Sequence, residues 1–400
     1  MEAVPSHVRV WPLLMMQRRR LLVWALSGIS AALVLLVWLY AYADSPRAPV
    51  MSVSVSGDGL FAISVHRDTS LVLWDLASKD NSRIADDANL YSAHFPADGH
   101  VFLWQDMENV VRRQHVDGSV LETFAHVPTY GHVSTADDSV YVSSDERYAI
   151  RVRLGQETHL LKREGGSFPG FGKVLNLAMD REGRYLVTGG FGSPHDRDHW
   201  PLDEQAEIGY EDLVGTVLWS LETLEPIAKL SGNTAKTHAT ISPDGQWVVS
   251  GDENGIGLYW NTDRPEERFR MASYFHGLFL GTHEPGDPRN RDRSGLIPAP
   301  DDATDTTIAV KFIHNSRYYL RFGYDSHYAA LFEVDNPWPL KYFDLGKRPF
   351  PAVSQYSRNL AIDTAPEAGI LVMGQRDGSG ILVYRFDPEA LTLERVWVGR

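Results

Sequence analysis

The chain has 400 residues, 43% hydrophobic and 22% charged, with no cysteine and a formal net charge of −14. Without cysteine there is no disulfide, no thiolate metal site, no cysteine nucleophile and no thioether-linked lipid. The acidic balance argues against nucleic acid and anionic headgroups as partners and favours basic protein surfaces or cationic ligands; no cofactor is expected.

The first element in chain order is the apolar run 21–43, which carries no charge and follows directly on Arg18, Arg19 and Arg20. A helix rising about 1.5 Å per residue crosses the roughly 30 Å hydrocarbon core of a bilayer in about twenty residues. Arg9 and the three arginines precede the run, and Asp44 and Arg47 follow it. The positive-inside rule therefore predicts a cytoplasmic N-terminus (1–20), a single transmembrane helix (21–43) and export of the remainder. Ala41-Tyr42-Ala43 offers the alternative of signal-peptide cleavage, although a signal-peptide apolar core is about 7–15 residues long. No Asn-x-Ser/Thr acceptor occurs, which favours a bacterial periplasm over a eukaryotic lumen. The first twenty residues carry +3, leaving −17 for the exported part.

After a Pro-containing linker (44–50), apolar positions recur with period 2, broken by Gly, Asp and Asn turns. Seven units repeat across 51–400, each with a tight turn between two strands and, in most, a later strand ending near an aromatic. The turns fall at 58, 98, 137, 182, 244, 316 and 367, with Asp58, Asp98 and Asp244 among them. The shorter spacings match the roughly 40–45 residues of a four-stranded propeller blade. Stacking such blades around an axis covers both apolar faces of each. The expected fold is all-β, a seven-bladed β-propeller of four-stranded antiparallel blades behind one N-terminal transmembrane helix. The last unit owns an outer strand of its own, LERVWVG, which leaves the manner of ring closure open.

Two insertions interrupt the repeat. The first, 191–213, holds His195, Asp196, Asp198 and His199. Imidazole and carboxylate groups suit a divalent cation, and the same composition suits a solvated loop. The second, about 276–305, is rich in Pro, Gly, Asp and Arg, which resist regular structure. Its Arg289, Arg291 and Arg293 could grip a carboxylate or phosphate, or pair with neighbouring aspartates. No nucleophile elbow, P-loop or dinucleotide fingerprint is present, and no catalytic residue is assigned.

Ser-Pro-Asp-Gly at 242–245, the strand from Gln246 and the strand ending Tyr259-Trp260-Asn261 resemble a WD-repeat blade. So do Gly57 to Asp75, with Asp68 six residues before Trp74, and the pair Trp219-Ser220. The family's Gly-His pair is missing, so its buried Ser/His/Asp/Trp hydrogen-bond network is incomplete. The resemblance implies the propeller fold, with Trp74, Trp219 and Trp260 as blade core. The expected function is a membrane-tethered periplasmic scaffold for other membrane or periplasmic proteins, an accessory of an inner-membrane complex. The alternatives are a propeller enzyme, or a small-ligand sensor using the central channel.

Overall fold

A computed structural model of the chain describes residues 48–92, 94–96, 99–126, 131–135, 139–144, 149–162, 173–191, 214–275, 278–283, 286–291, 296–300, 304–323, 327–346, 361–375 and 380–399. The chain divides between Ser45 and Pro46, and every described residue belongs to the C-terminal unit. The transmembrane helix expected at 21–43 lies outside the described residues; among those described, no helix is long and apolar enough to cross a membrane.

Blade 1 is β1 (Val50–Val55), β2 (Phe61–His66), β3 (Leu71–Asp75) and β4 (Asp80–Ala85). Blade 2 has β5 (Val101–Gln105), β6 (Val110–His115) and β7 (Val120–Ala125). Blade 3 is β8 (Gly131–Ser134), β9 (Val140–Ser144), β10 (Ile150–Leu154) and β11 (Glu157–Lys162). Blade 4 is β12 (Lys173–Met179), β13 (Tyr185–Phe191), β14 (Gly215–Ser220) and β15 (Glu225–Leu230). Blade 5 is β16 (Thr237–Ile241), β17 (Trp247–Asp252), β18 (Gly257–Asn261) and β19 (Arg264–Arg270). A hairpin of β20 (Tyr274–Phe275) and β21 (Leu278–Phe279) leads into blade 6: β22 (Thr307–His314), β23 (Tyr318–Gly323), β24 (Tyr328–Glu333) and β25 (Lys341–Asp344). Blade 7 is β26 (Ile362–Ala365), β27 (Ile370–Gly374), β28 (Ile381–Asp387) and β29 (Thr392–Gly399). Within each blade the strands pair antiparallel in sequence order.

Two expectations need correction. Among the described residues blade 2 has three regular strands rather than four. Among those residues its inner position is held by isolated bridges, Ala88 with Asp106 and His94 with Leu103. The Ser92 hydroxyl replaces the ladder there, accepting from Gln105 N (3.0 Å) and donating to Gln105 O (3.1 Å), while Asn89 turns the chain by accepting from Tyr91 N. Short polar side chains that bond locally to backbone compete with regular pairing in this way. The second insertion is also not wholly irregular. It carries β21 and a 3₁₀ turn at Pro288–Arg291, and Phe279 stacks on Trp338 with ring centres 6.2 Å apart.

The core is distributed between blades, because each sheet is apolar on both faces. One buried cluster lies at each of the seven junctions: Ile63 and Phe102 between blades 1 and 2, Val111 and Tyr141 between 2 and 3, Val142 and Trp219 between 3 and 4. Leu218 and Trp260 join blades 4 and 5, Val249 and Phe332 join 5 and 6, and Leu320 and Leu371 join 6 and 7. The seventh cluster, with Val50, Trp74, Val372 and Ile381, joins blade 7 back to blade 1. Each blade uses consecutive residues, so among the described residues the ring closes without an exchanged strand, through side-chain packing and a hydrogen bond from Val50 N to Gln375 O (3.3 Å). Trp74 meets Trp397 edge to face at 5.9 Å, and a Cβ on Gly374 would lie 2.4 Å from Val50 Cγ1.

Candidate functional site

Antiparallel order sends alternate connections to opposite ends of every blade. First-to-second and third-to-fourth turns share one face; second-to-third turns and the links between blades share the other rim. The gap between β13 and β14 and the link from β19 to β22 both open onto that second rim. The chain also reaches β1 from there: Ala48 O accepts from His66 Nδ1 and Pro49 O from Arg67 N, at the second-to-third turn of blade 1.

His195, Asp196, Asp198 and His199 lie outside the described residues, as do Arg293 and Asp98. Arg289 is engaged by Asp287 (Nη2 to Oδ2, 2.7 Å), which holds that carboxyl at about 2. Arg291 ends the 3₁₀ turn. Asp58 caps the first turn of blade 1, accepting from Ser56 OH (2.6 Å) and Leu60 N (3.0 Å); Asp244 does the same in blade 5 with Ser242 OH (2.6 Å) and Gln246 N (3.0 Å). Asp68 accepts from Ser70 OH at 2.7 Å. Trp74, Trp219 and Trp260 are buried on the third strands of their blades. Among the described residues no group of three His, Asp or Glu could hold a metal ion.

A residue overlooked in the sequence, His66, supplies the imidazole of a Trp-Ser-His chain in blade 1. Trp74 Nε1 donates to Ser64 Oγ (2.8 Å), which meets His66 Nε2 (2.9 Å), while His66 Nδ1 meets Ala48 O (2.9 Å). A carbonyl only accepts, so Nδ1 carries the proton and Nε2 accepts from Ser64. The imidazole comes from β2 itself rather than from a preceding Gly-His pair. In blade 5 Asn233 takes that position, accepting from Ser250 OH at 2.8 Å.

The first strands of the blades line a central channel of about 250 Å³. Inside it Lys311 Nζ of β22 donates to Asp363 Oδ1 of β26 at 3.1 Å. The other oxygen of Asp363 accepts from Ser54 OH (2.9 Å) and Val55 N (3.1 Å) of β1. Three donors from the two neighbouring blades therefore fix one carboxylate. His94 and His238 are buried in the channel wall. Burial draws His94 down to about 4; nearby Lys311 adds to this and Asp363 opposes it. Burial, with Lys236 and Lys311, holds His238 well below its usual value. At the end away from the insertions, Arg181 of blade 4 pairs with Glu367 of blade 7, across the channel. The turns around that mouth are joined blade to blade: Arg181 N to Pro243 O (3.0 Å), Asp244 N to Ser316 Oγ (3.1 Å) and Asn315 N to Pro366 O (3.0 Å).

With this geometry the described residues form a seven-bladed β-propeller, and one stretch of it matches a WD repeat. Residues 224–261, in blades 4 and 5, match the family model described as WD domain, G-beta repeat. Among solved structures it is similar to the β-propeller domain of Cps50 (Swd1) from Myceliophteria thermophila, with TM-score 0.55 and 13% identity over 84% of this chain and 96% of that one. No curated protein matches the chain. As many as 1712 chains of known structure match, so the fold by itself selects no partner.

Proposed function

We propose that the protein is a membrane-tethered interaction scaffold in the periplasm, serving an inner-membrane complex through the rim that bears the two insertions. The observation that carries this reading is topological: both breaks in the repeat, and the point where the chain joins β1, belong to the same rim. Insertions in a repeat fold sit on one face, often the binding face. The uncharged run at 21–43 and its arginine flank support the tether. The acidic balance suits partners that present basic surfaces.

The test is cross-linking of the tagged full chain in its native host, followed by identification of co-purifying proteins. One or a few membrane or periplasmic proteins at near-stoichiometric yield are expected. A variant lacking both 192–213 and 284–303 should lose them. Retention of every partner by that variant would refute the rim assignment, and recovery of the propeller alone would refute the scaffold.

A further inference from the structure

The mouth of the channel away from the insertions is spanned by the Arg181–Glu367 pair, and the apolar walls include Val133, Leu177 and Phe312. Among the described residues its accessible charges are few and stand in pairs. Lys311 faces Asp363 and Arg181 faces Glu367, while burial favours the neutral form of both imidazoles. A ligand with net charge would bring an uncompensated charge into an enclosed site, which is costly. A neutral ligand with opposite charges at its two ends would not.

Hydrogen-bond valence on the central pair is only partly used. An ammonium has three N–H donors, and Lys311 gives one to Asp363. An ionised carboxylate has about four lone-pair sites, and Asp363 fills three, with Lys311, Ser54 and Val55. Two donors and one acceptor remain, side by side. The side chains of Lys311 and Asp363 are 30% and 22% exposed, so both can be reached. Asp363 is held by backbone as well as side chain and needs no rearrangement to receive a donor.

We propose that the channel is a pocket for a compact zwitterion of the α-amino-acid class. The ligand's carboxylate lies on Lys311, its ammonium on Asp363 and an aliphatic side chain against the apolar wall. The ligand enters from the rim that bears the insertions, because the Arg181–Glu367 pair spans the other mouth. No bond is made or broken.

The test is a thermal-denaturation series on the purified full chain with L-valine, isovalerate and isobutylamine, each at millimolar concentration. The last two keep the valine side chain and remove one charged end. L-Valine well above its Kd should raise Tm by about 2 °C or more, and the two controls should not. The double variant Lys311→Met/Asp363→Leu removes both charges together, so no charge is left unpaired in the wall. It should fold with a cooperative transition and lose the L-valine shift. Three results would overturn the proposal: no shift with L-valine, an equal shift with isovalerate or isobutylamine, or a shift retained in the double variant. Should the double variant fail to fold, isothermal titration of the Asp363→Asn protein decides: heat equal to that of the unaltered chain would place binding elsewhere.

Discussion

Replacing Arg321 with methionine probes how the blades are locked together. The Arg321 side chain is fully buried on β23 of blade 6. Its Nε donates to Thr307 Oγ1 (3.0 Å), and its Nη2 donates to Gly255 O in blade 5 (3.0 Å) and to Asp305 O (2.8 Å). The Asp305 carboxylate lies 3.5 Å away and accepts from Tyr274 N at the base of the β20–β21 hairpin (2.6 Å). Methionine fills similar space but removes the cation and three donors. Breaking a buried pair at one partner costs about 3–5 kcal/mol, mostly from the charge left behind. Removing both charges, in Arg321→Met/Asp305→Asn, leaves only the lost hydrogen bonds, at about 1 kcal/mol each. The double variant should therefore be more stable than the single one. The pH dependence has a definite sign. Burial already raises the Asp305 pKa, and Arg321 opposes that rise, so its loss lifts the carboxyl further. A raised carboxyl pKa gives stability that is present in acid and lost as pH climbs through it. The deficit of Arg321→Met should thus be small in acid and grow toward neutrality. Urea unfolding of the full chain, followed by tryptophan fluorescence across pH, measures all three effects. A single-variant loss below about 1 kcal/mol at neutral pH, or a deficit that shrinks as pH rises, would refute the reasoning.

Ser64→Ala leaves the Trp74 Nε1 donor and the His66 Nε2 acceptor without the hydroxyl between them; a loss of about 2–4 kcal/mol is expected, read as a lower Tm, and an unchanged Tm would deny the chain any structural weight. Gly374→Ala drives a methyl into Val50 where blade 7 meets blade 1, so β1 should exchange its amide hydrogens faster, at a cost of about 1–3 kcal/mol. Unchanged exchange in β1 would show that the joint has slack. His94 stays neutral in the folded chain down to about pH 4, so the unfolded chain binds the extra proton between about 6.5 and 4, and stability falls with acidification over that window. His94→Gln should flatten that slope by up to about 1.4 kcal/mol per pH unit, and a slope unchanged from the parent would contradict the assignment.

The blades were readable because period-2 apolar runs and Asp-Gly turns are local signals, and the units drawn from them coincide with the strands of blades 3 to 7 and with the first three of blade 1, whose polar outer strand Asp80–Ala85 lacks the apolar signal. In blade 2, LYSAHF has the apolar count of a strand, but among its described residues Asn89 and Ser92 turn the backbone toward side-chain bonds in place of a regular ladder. The channel was not legible from polar clusters. Ser54 and Asp363 are 309 positions apart and meet only when the ring closes. A usable signal existed all the same: Lys311 in IAVKFI and Asp363 in LAIDT are single charges inside otherwise apolar first strands. A charge in such a place needs a partner from a neighbouring blade. Arg181 and Glu367 sit in turns of ordinary composition, and nothing in the sequence distinguishes them.

Because each blade is woven from one continuous stretch, cutting the path at a link between blades and joining Gly399 to Val50 through a linker would leave every described sheet with its own strands. Val50 begins the innermost strand of blade 1 and Gly399 ends the outermost strand of blade 7, the same relation that every other pair of successive blades shows across its link. Which blade comes first is thus an accident of the gene rather than a requirement of the architecture. A molecule of this kind is open to reordering by permutation and to growth or shrinkage by whole blades.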